Sequence, residues 1–247
     1  MLGLRRRPVG LPAGIEPLAM DLAAGVPTLP PVDQVVFCAA PDAGDAAAYQ
    51  RVYGTGWGNL LSALATASQP PRRVQLVTST RPYAQRDGEW VDEDSPATPH
   101  DAQSETLLHA ETRLRDSGLP GLVLRQAGLY GAGEGPLLRS LRAGRATIAP
   151  GPPRWSNRMH RDDAARAIVH LLALAEPAPL YLGVDSEPTD HAALLRELAD
   201  WIGAPPPGIA GVPAPGANRR CSNARLLATG FRLVYPTWRE GYRALLG

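Results

Sequence analysis

Four short apolar runs, each followed by a stretch long enough for a helix, restrict this chain to a layered α/β fold. "DQVVFCAA" (33–40), "RRVQLVTST" (72–80), "GLVLRQAGLYG" (121–131) and "PLYLGVDSE" (179–187) read as four strands, the first continuous, β-branched and aromatic. That is the pattern of strands covered on both faces, as in a mostly parallel sheet. Helical patterns fill the spaces between them, over 43–67, 103–117, 161–175 and 189–202. In 103–117, Leu107, Ala110 and Leu114 share one helical face, and Gly118 suits the position just past the helix end. In 189–202, Thr189 or Asp190 can cap the first turn. Strands alternating with helices of this length predict a Rossmann-like, doubly wound parallel sheet. The expected organisation is a single domain over 1–247, with residues from roughly 150 onward forming a small substrate-side lobe. The proline- and glycine-rich stretch 203–217 leads into a short tail that ends in a small helix.

Composition removes several functions. The net charge is +1, which gives no general attraction to nucleic acid or a membrane surface. All 25 basic residues are arginine, so any mechanism that needs a lysine ammonium is excluded. Cys38 and Cys221 are far apart in sequence and read as free, buried thiols of a reducing cytoplasm. The basic N-terminus is followed by no apolar signal region, and no run approaches the roughly 20 apolar residues of a membrane helix. A cytoplasmic location is therefore expected. His100, His109, His160, His170 and His191 form no metal-ligand spacing, so no metal is expected. A G-x-S-x-G elbow, the mark of a serine hydrolase, is absent.

In doubly wound sheets ligands bind beyond the carboxyl ends of the strands. Those ends here read "CAAP" (38–41), "TSTRPY" (78–83) and "GLYGAG" (128–133). Small residues there admit a flat ligand, and hydroxyls there can donate to a carbonyl or a ribose.

With "VVFCAA", "TSTRPY", "VDEDSP", "RQAGLYG", "HRDDAARA" and "YPTWREGYRALL" in that order, the chain resembles the extended and atypical short-chain dehydrogenase/reductases. The match is to their NAD-dependent epimerase/dehydratase-like branch. The resemblance implies a nicotinamide dinucleotide lined by Ala39 and Ala40, with Asp21 near its adenine and Tyr130 and Gly131 near its nicotinamide. It makes Ser79, with Thr80 beside it, the hydroxyl that polarises the reacting oxygen. Tyr83 becomes a structural tyrosine on the substrate side, and Asp163, or Asp162 beside it, an anchor for the C-terminal part. "GPPRWSNRMHRDD" (151–163) brings Arg154, Trp155, Asn157, Arg158 and Arg161 close together and reads either as a substrate-phosphate contact or as a structural loop, with His160 in it read chiefly as a structural hydrogen bonder. "DGEWVDEDSP" (87–96) reads as a solvated loop over the site, with Trp90 pinning it or meeting substrate.

Two departures follow from the same resemblance. The family's Tyr-x-x-x-Lys pair falls near Gln103 and Leu107, and neither residue can titrate. A phenol with an ordinary pKa near 10 needs a neighbouring cation to act as a base at neutral pH. The acid/base is therefore unassigned. Nor is there a glycine-rich turn of the dinucleotide fingerprint type. "YGTGWGN" (53–59) lies within a helical segment, and "YGAGEGP" (130–136) has the wrong spacing. Read as the second strand of the sheet, "LGLRRRP" places Arg5 and Arg6 for a 2′-phosphate, favouring NADP with NAD also admissible. On that reading the chain starts about 30 residues late, without the first strand, its loop and its helix. The expected function is an NAD(P)-dependent oxidoreductase or epimerase/dehydratase-like enzyme acting on a small sugar-nucleotide or carbonyl substrate. The alternatives are a non-catalytic NADP-binding sensor, or a chain unable to hold the cofactor.

Overall fold

A computed structural model describes residues 1–131, 133, 135–211 and 216–247 of the chain. In chain order the first elements are β1 (Leu2–Arg5), β2 (Glu16–Ala19), β3 (Gln34–Phe37), α1 (Ala46–Tyr49), α2 (Trp57–Ala65), β4 (Arg73–Ser79), β5 (Glu89–Val91) and α3 (Ala102–Asp116). Then come β6 (Gly121–Gln126), β7 (Gly128–Tyr130), α4 (Pro136–Arg142), β8 (Thr147–Ile148), β9 (Trp155–Ser156), β10 (Arg158–His160) and α5 (Arg161–Ala173). The last are β11 (Leu180–Gly183), β12 (Thr189–Asp190), α6 (His191–Trp201), β13 (Gly208–Ile209), β14 (Arg219–Cys221), α7 (Ala224–Ala228) and α8 (Trp238–Leu246). The α/β class is as read from the sequence. A four-stranded parallel sheet runs in the order β11-β6-β4-β3, and β1 pairs with β2 in parallel as a separate two-stranded sheet.

The chain divides into two compact units, Met1–Val77 with Pro99–Val123, and Thr78–Thr98 with Leu124–Gly247. The first unit is built around α2 and α3. Trp57, Leu60, Leu61 and Leu64 of α2 are buried, and Trp57 Nε1 donates to the Ala110 carbonyl of α3 at 3.0 Å. Phe37 packs on Trp57 with ring centroids 5.0 Å apart. Asp101 and Ser104 close a reciprocal capping box on α3, and Gly118 takes φ +71° just past its end, as its sequence predicts. The run 43–67 is not one regular helix: between α1 and α2, Gln50–Gly56 is π-helical.

Two further expectations are corrected. The run 33–40 was expected to be covered on both faces, but only Phe37 of β3 is buried. The reason is its place at the edge of the sheet, with β4 as its sole partner there. Cys38, expected to be buried, is exposed because the chain leaves the sheet at Phe37; Cys221 is buried and free as expected.

The second unit has two apolar clusters. Tyr83, Val91, Ala127, Leu182, Val184 and Cys221 form one. The other gathers Tyr130, Leu138, Leu141 and Ile148 with Leu194, Leu195 and Leu198 of α6 and Trp238 and Tyr242 of α8. The run 121–131 bends at Ala127, whose N–H bonds the Gly183 carbonyl, so its second half pairs with β10 as a separate strand, β7. Asp190 caps α6, accepting from the Ala192 N–H, and a Thr237–Glu240 capping box starts α8. No helix of the described residues is long and apolar enough to cross a membrane.

Candidate functional site

In the first unit the predicted cofactor residues gather at the carboxyl ends of β1, β2 and β3. Arg5, Arg6, Arg7 and Asp42 line an open cavity of about 530 Å³. Arg6 Nη2 donates to both oxygens of Asp42 at 2.8 Å, and Asp42 holds the exposed guanidinium in its charged form. Asp21 lies just past β2, where its Oδ1 accepts from the Ala23 N–H at 2.9 Å and its Oδ2 pairs with Arg51. That carboxylate already closes a turn and an ion pair. Ala39 and Ala40 are exposed on the segment leading from β3 to Asp42. "YGTGWGN" is helical, as its sequence indicated. On α3, Gln103 Nε2 donates to the Gly44 carbonyl at 2.8 Å and Leu107 is fully buried. Where the family carries its acid/base pair, this chain has a structural amide and a core leucine.

In the second unit the other predicted residues fall into two groups. Ser79 ends β4, and its Oγ accepts from the Arg81 N–H at 3.3 Å, which leaves the hydroxyl proton available for donation. Thr80 is buried, its N–H bonded to the Gln126 carbonyl and its own carbonyl receiving Arg219 Nη2 at 2.7 Å. Tyr83 donates its hydroxyl to the Asp92 carbonyl at 2.7 Å, and burial pushes its pKa up to about 12. Burial also lowers the Arg219 pKa and pushes Cys221 up to about 11.

The second group surrounds Tyr130. Its ring stacks on Tyr242 at 4.5 Å and meets His160 edge-on at 5.3 Å. Its hydroxyl is buried against Gly241 of α8 without a hydrogen-bond partner among the described residues, and burial raises its pKa. Gly131, at φ +137°, lies so close to α5 that a Cβ would meet Arg161 Cγ at 2.7 Å. Tyr130, Gly131, Arg158, Arg161 and Tyr242 line a cavity of about 500 Å³. Residues 132 and 134 of "YGAGEGP" lie outside the described residues. His160 caps α5, its Nδ1 accepting from the Asp162 N–H at 3.2 Å. That bond requires Nδ1 unprotonated, so the proton of the neutral ring sits on Nε2.

Arg154 and Trp155 are held through Asp190, whose Oδ1 accepts from the Arg154 N–H at 3.2 Å, and through Asn218, a residue that no local sequence pattern marks. Asn218 Oδ1 accepts from the Trp155 N–H at 2.8 Å, and Asn218 Nδ2 donates to the Pro153 carbonyl. Asn157 bridges the backbone on both sides of Arg220, accepting from Cys221 N and donating to Arg219 O. Their partners are 62 to 65 residues away, beyond any local pattern. No group of three His, Cys, Asp or Glu among the described residues could hold a metal ion.

No protein-family profile matches the chain. A solved structure of a protein described as an NAD-dependent epimerase/dehydratase, from Methylobacillus flagellatus, superposes with a TM-score of 0.79 at 34% identity. It covers 99% of this chain and 88% of that one. This chain belongs to the NAD-dependent epimerase/dehydratase family of extended short-chain dehydrogenase/reductases. The human epimerase family protein SDR39U1, isoform 2, solved with NADPH, shares the fold at TM-score 0.79 and 21% identity, covering 98% of this chain and 89% of that one. A Streptomyces 3-diazoavenalumate denitrifying reductase is 31% identical over 169 residues, 60% of this chain. The chain spans about half the length of that reductase, 54% of it.

Proposed function

We propose that this family member is an NADP(H)-dependent oxidoreductase or epimerase/dehydratase that acts on a small carbonyl or sugar-nucleotide substrate. The observation that carries this reading is the opening formed by Arg5, Arg6, Arg7 and Asp42 at the end of β1. Only Arg6 of the three arginines is in an ion pair among the described residues, so Arg5 and Arg7 are available to a phosphate. Guanidinium forks suit that geometry. The relatives point the same way: one is described as NAD-dependent, one was solved with NADPH, and one is a reductase.

When bound, a nicotinamide cofactor supplies hydride transfer. The chain's residues would hold its 2′-phosphate with Arg5 and Arg7 and, once Asp42 yields, with Arg6. Ser79 would donate its hydroxyl proton to the substrate oxygen while its Oγ keeps the Arg81 N–H, which orients the hydroxyl. Thr80 is buried and braced by Arg219, so it holds the Ser79 turn in place and does not itself reach a substrate. Burial raises the pKa of Tyr83, Tyr130 and Tyr242, which disfavours each of them as a base.

Comparative titration with NADPH and NADH tests the cofactor assignment. Arg5→Ala should weaken NADPH by about tenfold and leave NADH within about twofold. Equal loss for both would remove the 2′-phosphate assignment. Ser79→Ala separates enzyme from sensor: binding kept with turnover down about a hundredfold supports the enzyme, whereas no turnover in either protein supports a non-catalytic NADP sensor.

A second reading is favoured by the sheet break in the first unit. β1 and β3 belong to separate sheets, and no described strand-to-helix turn carries the glycine spacing of a pyrophosphate cradle. On this reading the chain holds no nicotinamide dinucleotide. NADPH titration of the chain tests this. Tight binding by the chain alone removes the reading.

A further inference from the structure

We infer that the outer face of the β5–β14 pair binds an oxyanion, a carboxylate or a phosphate, carried on a planar aromatic ring. This site is independent of the nicotinamide assignment. Trp90 and Arg220 are directly opposed across the parallel strands, and so lie on the same face. The adjacent pair, Val91 and Cys221, turns inward and is buried with Tyr83. Arg220 lies against two indoles, its guanidinium carbon 5.2 Å from the Trp90 ring centroid and 4.7 Å from that of Trp155. Its Nε donates to the Gly88 carbonyl at 2.7 Å, which fixes the plane of the fork.

Gly88 makes the arrangement feasible. It has φ +81°, and a Cβ there would meet Trp155 Nε1 at 2.7 Å. Trp155 is placed from behind by Asn218. The result is a guanidinium packed against two aromatic rings, with its Nε used. Its two terminal nitrogens have no carboxylate or carbonyl partner among the described residues. The acids that flank Gly88 do not neutralise it: Glu89 Oε2 accepts from the Asp87 N–H, and neither residue is ion-paired with Arg220 among the described residues.

A structural cation–π stack would not need this exposure. Trp90 is 56% exposed, whereas the core indoles Trp57 and Trp238 are almost wholly buried. An indole held rigid and left wet next to an unpaired fork offers two things to one ligand. The terminal N–H pair is oriented in-plane for a bidentate carboxylate or phosphate. The open part of Trp90 offers a surface for an attached aromatic ring.

The test uses the full chain without nicotinamide, so its outcome is separate from that of the cofactor titrations. The five tryptophan indole N–H signals are followed by nitrogen-correlated NMR, with Trp90→Phe and Trp155→Phe assigning two of them. Benzoate and phenyl phosphate are titrated separately, with benzyl alcohol as the neutral control. The expected result is saturable movement of the Trp90 and Trp155 signals, with at least one oxyanion binding about tenfold more tightly than benzyl alcohol. The comparison of the two probes decides between carboxylate and phosphate. Arg220→Met should lose about tenfold in affinity and Arg220→Lys a smaller part of it, since an ammonium keeps the charge but not the fork. Unchanged signals of the three other indoles in each variant show that the fold is kept. Equal binding of the neutral control, unchanged affinity in Arg220→Met, or no saturable shift with either oxyanion would overturn the assignment.

Discussion

Asp163 and Tyr235 are 72 residues apart in sequence, and the Tyr235 backbone N–H donates to Asp163 Oδ2 at 2.8 Å. The Val234 N–H donates to Oδ1 at 2.9 Å, and Arg166 reaches the same oxygen at 2.7 Å. The carboxylate is fully buried, so these donors replace water entirely. The residue expected to anchor the C-terminal part therefore does so through two backbone N–H groups. Asp163→Ala leaves both donors and Arg166 without this carboxylate, and should cost about 3 kcal/mol in urea unfolding. Asp163→Asn retains one acceptor oxygen and should cost less. A loss below about 0.5 kcal/mol for the alanine variant would show that the tail is held by other contacts.

Asp185 gives the chain a pH signature. The carboxyl is almost wholly buried, and desolvation raises its pKa to about 8 against partial opposition from Arg158. Between about pH 4 and pH 8 the folded state keeps this proton and the unfolded state releases it, so folding stability falls as pH rises. The slope from this group approaches 1.4 kcal/mol per pH unit and vanishes above pH 8. Asp185→Asn mimics the protonated form. Its stability should exceed that of the parent at pH 8 and match it near pH 4, measured by denaturant unfolding across that range. Parallel pH profiles for the two proteins would refute the assignment.

Gly241 is required by Tyr130. A Cβ at Gly241 would overlap the Tyr130 hydroxyl and lie 2.7 Å from its ring carbons, and both partners are buried. Gly241→Ala should destabilise the chain by about 2 kcal/mol even though alanine is the better helix former. Tyr130→Phe removes the overlapping oxygen and should recover part of the loss in the double variant. Thermal melts of the four proteins provide the cycle. Additive losses would mean that the two residues do not meet.

Tyr83→Phe separates a structural phenol from a catalytic one. The lost hydrogen bond to the Asp92 carbonyl should cost about 1 kcal/mol. With the phenol pushed up to about 12 by burial, the pH profile of turnover below pH 10 should keep its shape. A limb that disappears in Tyr83→Phe would make this tyrosine the missing acid/base.

Much of this protein is legible in its residues taken in order. Short apolar runs mark the four strands of the sheet, because strands that pack into a layered core carry few polar side chains. Helix ends are equally local: Gly118 and Asp190 act through groups within a few residues. The absence of lysine rules out the family's acid/base pair without reference to any coordinates. Only the folded chain shows that β3 is an edge strand and that Cys38 lies in solvent, because both depend on which strand lies alongside. The same holds for Arg219 on the Thr80 carbonyl, 139 residues away, and for Arg220 between Trp90 and Trp155. Those contacts are made by strands of two or three residues, too short to show a period, and their partners are chosen by long-range register. Residue order thus determined the layers and the family, and tertiary pairing decided which polar side chains meet.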